Sequence, residues 1–85
     1  MDMRATIETK LRHEFSPTSL EVLDESEQHR GHAGYREGGQ SHFRVRIVAP
    51  QFEGMSRVAR QRAIYKVLDQ EMREQIHALA LEVSA

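Results

Sequence analysis

No cysteine occurs in the 85 residues. Disulfide bonds, thiol nucleophiles and thiolate metal sites are therefore excluded, and any metal this chain helps to hold must take histidine, carboxylate or ligands from another molecule. No apolar run approaches the ~20 residues of a membrane-spanning helix. The opening MDMRATIETK lacks the basic region and apolar stretch that mark a secretory signal. The expectation is a cytoplasmic protein without membrane contact. Neither sign of charge dominates: the formal net charge is −1, so the total does not draw the chain to nucleic acid or lipid. Internal repeats and low-complexity tracts are missing. So are a G-x-S-x-G elbow, a phosphate-binding loop and any sequence-local pairing of carboxylates, and no enzymatic activity is expected.

What is present is concentrated in His42–Leu68, HFRVRIVAPQFEGMSRVARQRAIYKVL. In His42–Ala49, Phe43, Val45 and Ile47 alternate with His42, Arg44 and Arg46, the period of a strand with one buried face. Pro50 cannot donate to a sheet and holds Ala49 extended, so the strand stops there. Gly54 permits a turn with positive φ, and Ser56 is placed to cap a helix. Beyond it Val58, Gln61, Ile64, Tyr65, Leu68 and Met72 fall on about a third of a helical circumference.

The flanking segments complete a small fold. Met3, Ile7 and Leu11 recur every four residues and predict a helix over 2–14, with Asp2 at its start, Phe15 closing onto the core and Pro17 preventing continuation. Leu20–Asp24 reads as a short strand. Glu25–Ser41 has four glycines and two histidines three apart but no large aliphatic residue; it reads as a loop, longer than most hairpin connections. Asp69–Gln75 continues or frays the second helix. Ile76–Val83 is a third strand, with His77, Leu79, Leu81 and Val83 on one face. The order predicts one α+β domain over residues 1–85, its helices on one face of a three-stranded sheet.

Two side-chain sets stand out. Five histidines are many for so short a chain. Between His42 and Lys66 lie six cations, Arg44, Arg46, Arg57, Arg60, Arg62 and Lys66, against the single anion Glu53, whereas Ser19–His29 holds four acids and no cation. One basic and one acidic surface are expected. On spacing alone, His77 reads as a strand-edge histidine, His42 as structural or a surface contact, and the H-x-x-H of His29 and His32 as a weak metal signal, because no nearby ligand completes a four-coordinate set.

The runs DESEQH, SHFRVRIV, FEG, RVARQRAIYKVL and IHALALEV, in this order and spacing, resemble the BolA family of stress-response and iron–sulfur proteins over Ile7–Val83. The resemblance implies a class II KH-like αββαβ fold. It also implies a monothiol glutaredoxin as partner and a [2Fe–2S] cluster shared with it, two thiolates coming from glutaredoxin and its glutathione and none of the cluster expected in the isolated, monomeric chain. Carried onto these residues, the last-strand ligand is His77 and the loop ligand His29 or His32. The family's Arg-His-Arg is here Arg60-Gln61-Arg62, so any role of that middle histidine is absent or altered. Family members are also described as DNA-binding regulators, which makes Arg44, Arg46, Arg57, Arg60, Arg62 and Lys66 candidate contacts to duplex DNA.

Overall fold

The first helix begins where its orphan amides find a partner. The side chain of Asp2 accepts from Ala5 N–H at 3.4 Å, opening α1 (Met3–Phe15). Met3, Ile7, Leu11 and Phe15 form its buried stripe. Ser16 ends the helix in the left-handed region at φ 44°, donating its N–H to Arg12 O, and Pro17 follows. The computed structural model describes residues 2–25 and 42–85. The expected loop 25–41, apart from Glu25, lies outside them, with His29 and His32.

Three strands make the sheet: β1 (Ser19–Asp24), β2 (His42–Val48) and β3 (Ala78–Ser84), in the spatial order β1-β2-β3. β1 and β2 are antiparallel, whereas β3 runs parallel to β2. In the register Phe43 faces Leu79, Val45 faces Leu81 and Ile47 faces Val83, so the alternate apolar residues of neighbouring strands share one face. The other face carries Glu21, Arg46 and Glu82 in one row.

After β2, Pro50 opens a single 3₁₀ turn (Pro50–Phe52), and Gly54 reverses the chain at φ 79°. Ser56 then accepts from Ala59 N–H at 3.1 Å and starts α2 (Arg57–Val67). The helices and the 3₁₀ turn cover the apolar sheet face with Ile7, Leu11, Phe52, Ile64 and Leu68, all sealed from solvent together with Val45 and Ile47. Phe15 and Phe52 meet at a ring separation of 4.9 Å, tilted by 38°. Burial of each such side chain contributes roughly 1.5–3 kcal/mol. The α+β class and the strand–helix order are those expected from the periodicities.

Four details depart from the sequence reading. The second helical stretch is two helices, with α3 (Asp69–Glu74) beginning after Leu68, whose φ of −98° and ψ of 16° break the run. Leu68 and Met72 both still pack on the core across this joint, so the hydrophobic period passes through it unchanged. Val58 is 55% exposed and leaves the apolar stripe, as Tyr65 partly does at 37%. Third, β3 begins at Ala78 rather than Ile76. Its main chain there is already committed: Ile76 is buried and its N–H donates to Glu71 O at 2.9 Å, closing α3. Finally, His42 lies on the polar side of the alternation yet is only 6% exposed.

β3 forms one rim of the sheet, and α2 reaches over it. Tyr65 donates its hydroxyl to Leu79 O at 3.2 Å, and Arg60 donates Nη1 to Val83 O at 3.4 Å. Ser84 O points the other way and accepts from Ala49 N–H at 3.1 Å.

Candidate functional site

His77 occupies the bend between α3 and β3. Its backbone is bracketed by two anchors, buried Ile76 on one side and Ala78, in register with His42, on the other. The side chain is exposed. Its ring lies 6.0 Å from that of His42, with the planes 19° apart. His42 is held from both directions, since its carbonyl accepts from Glu25 N–H at 2.8 Å and its residue pairs with Ala78 of β3. One buried and one exposed imidazole thus stack at the end of the sheet where β2 and β3 start. The two lie 35 positions apart in the chain. Only the parallel pairing of β2 with β3 brings them together.

Among the described residues no group of three or more His, Cys, Asp or Glu is gathered to hold a metal ion. His77 can offer a single nitrogen outward. That donor set fits one coordination position on a centre held mainly by another molecule, and does not make a self-contained site. The remaining expected ligands, His29 and His32, lie outside the described residues.

The six cations divide into two groups. On the outer sheet face Arg44 pairs with Glu25 at 3.0 Å and Glu82 at 3.2 Å, while Arg46 pairs with Glu82 and Glu21, both at 3.1 Å. The expected separation into a basic and an acidic surface is corrected here: acids from β1 and β3 interleave with the arginines of the central strand. Hydrogen bonds from Arg46 and Arg44 hold the Glu82 carboxyl below its ordinary range. Bonds to Glu25 and Glu82 raise Arg44, and bonds to Glu82 and Glu21 raise Arg46. Arg60 is also engaged, donating to Phe52 O at 3.1 Å and to Val83 O. By contrast Arg57, Arg62 and Lys66 lie exposed on α2, their side chains without an ion pair or hydrogen bond among the described residues.

A cleft of about 610 Å³ lies between α2 and the far end of β3 from His77, walled by Met55, Arg57, Arg60, Gln61, Leu81 and Val83 among others. Gln61, the polar residue within the predicted apolar stripe, sits half-buried on this wall. It is placed at the stripe's margin, where an amide keeps access to water.

A family model described as BolA-like protein matches residues 11–85. The chain belongs to the BolA-like family. It is 44% identical over 81 residues to the DNA-binding transcriptional regulator BolA of Escherichia coli K12, a match covering 95% of this chain and 73% of that protein. It is also 44% identical over 79 residues to SufE-like protein 1 of Arabidopsis thaliana, covering 88% of this chain but 21% of that much longer protein. Among solved structures, the BolA domain of SufE1 from Arabidopsis thaliana superposes with a TM-score of 0.87 at 39% identity, over 99% of this chain and 92% of that one. The BolA-like fold thus accounts for the strand order and for the helices gathered on one sheet face. No helix among the described residues is long and apolar enough to cross a membrane.

Proposed function

We propose that this BolA-like chain is a non-enzymatic adaptor that joins a monothiol glutaredoxin and shares a [2Fe–2S] cluster with it, in iron–sulfur trafficking or iron-linked regulation. The supporting observation is the exposed His77 imidazole on a fixed backbone at the end of the sheet, in a chain that has no cysteine. Histidines replace cysteines on one iron of Rieske-type centres, so imidazole is a competent cluster ligand. In this reading glutaredoxin and glutathione bring the thiolates, His77 brings one nitrogen, and His29 or His32 brings the other. Co-expression with a monothiol glutaredoxin should give a complex whose visible absorption and circular dichroism differ from those of glutaredoxin alone. His77→Ala should abolish that difference. An unchanged spectrum and cluster lifetime in the variant would remove His77 from the ligand set.

A second reading, a DNA-binding regulator, is favoured by the three unpaired cations of α2 and by the likeness to the DNA-binding transcriptional regulator BolA of Escherichia coli. With Arg44, Arg46 and Arg60 already engaged, the phosphate contacts fall to Arg57, Arg62 and Lys66. Three contacts predict a slope of about −3 for log affinity against log salt on duplex DNA. Arg62→Ala with Lys66→Ala should flatten the slope by about 2, and Arg44→Ala should leave it alone. The reverse pattern would place the DNA surface on the sheet and contradict this assignment.

A further inference from the structure

We infer that His42 is a positioning residue for His77: a buried imidazole platform that fixes the orientation in which the exposed ring is presented. The inference rests on the cluster-sharing reading for its purpose, but its geometry stands apart from that reading. Three features of the fold converge on it. His42 opens the central strand, with β1 and β3 attached on its two sides through Glu25 N–H and Ala78, and its side chain is 6% exposed. Its backbone cannot leave without breaking the sheet end, and burial confines its ring. His77, one residue before the start of β3, has a backbone pinned by Ile76 and Ala78, so its remaining freedom is in the side-chain torsions. Among the described residues, the near-parallel stack on His42, 6.0 Å between centroids, is the only ring, ion-pair or hydrogen-bond contact that the His77 ring makes.

An exposed imidazole without a hydrogen-bond partner would otherwise sample several rotamers and lose that freedom on coordination. Resting one ring face on a buried neighbour restricts those rotamers beforehand. The separation lies within the range of offset aromatic pairs. Stacking also leaves the rim of the His77 ring, where both nitrogens sit, clear of the platform. A ring orientation set in advance matters for a ligand that must meet a centre whose geometry another protein dictates. A phenyl ring at position 42 would preserve this platform, because a flat buried face suffices and no second donor is needed.

The experiment begins with the full chain alone. Ring-to-ring nuclear Overhauser contacts between His42 and His77 are expected in the wild type, and a restricted order parameter for the His77 side chain. His42→Leu should release the ring and lower that order parameter, while His42→Phe should retain it, with backbone amide spectra reporting that the fold is intact. In the complex with cluster-loaded monothiol glutaredoxin, the cluster lifetime followed by visible circular dichroism should shorten about fivefold for His42→Leu and stay near wild type for His42→Phe. Absence of the ring-to-ring contacts in the wild type overturns the inference even if a variant fails to fold. So does an unchanged His77 order parameter in His42→Leu, or equal loss in the leucine and phenylalanine variants. If instead the platform effects are seen while His77→Ala leaves the heterocomplex unaltered, it is the cluster-sharing reading that fails, not the positioning.

Discussion

At Gly54 the backbone stands at φ 79°, and a Cβ added there would meet nothing within 4 Å. Its glycine is thus required by torsion and not by space. Gly54→Ala should destabilise the domain by about 1 kcal/mol, and Gly54→Asn by less, because asparagine tolerates the left-handed region. Urea denaturation of both variants checks this, and an alanine variant as stable as wild type would contradict it. Gly54, like Asp2 and Ser56, was legible in the sequence because a turn or a cap is written within a few neighbouring residues. His42 was not. Its partner is far along the chain, and the alternation that placed His42 on the polar face carries no information about what stacks there.

Along whole elements, the legible part is the part that repeats. The four-residue spacing of Met3, Ile7, Leu11 and Phe15 and the alternation of Phe43, Val45 and Ile47 identified buried faces that the fold uses. The joint at Leu68 was hidden because apolar spacing continues across it, and Val58 was misplaced because α2 buries a narrower arc than the period allows. Charge was less legible still, since cross-strand pairing joins Glu21, Arg46 and Glu82 from three separate segments. This row predicts a pH dependence. The folded Glu82 carboxyl titrates below its ordinary value of 4.5, so its stabilising contribution is complete above that value and is lost as pH falls through the lower, folded one. Glu82→Gln should make the melting temperature less sensitive to acid over that window. The difference between variant and wild type should shrink at high salt, because the pairs are solvent-exposed. A wild-type acid profile retained in Glu82→Gln would assign the sensitivity to other carboxylates.

Across the whole molecule, one ion pair ties the first helix to the third. Lys10 Nζ lies 2.6 Å from Glu71 Oε2, and Glu71 is 6% exposed, with Oε1 meeting no donor among the described residues. A carboxylate so placed depends on its single cation. Lys10→Ala should cost about 3 kcal/mol, read as a lower denaturation midpoint. Glu71→Met, which removes the buried charge and leaves the half-exposed lysine to water, should cost less than the lysine deletion. The opposite ranking would show that the buried carboxylate is tolerated without its partner. At the same scale, the hydroxyl of Tyr65 and the guanidinium of Arg60 occupy backbone oxygens along the outer border of the last strand. A foreign polypeptide trying to zip onto that border must first evict two donors the domain supplies to itself. That sheet edge, a template for strand addition when bare, is thereby partly closed by the same helix that completes the core.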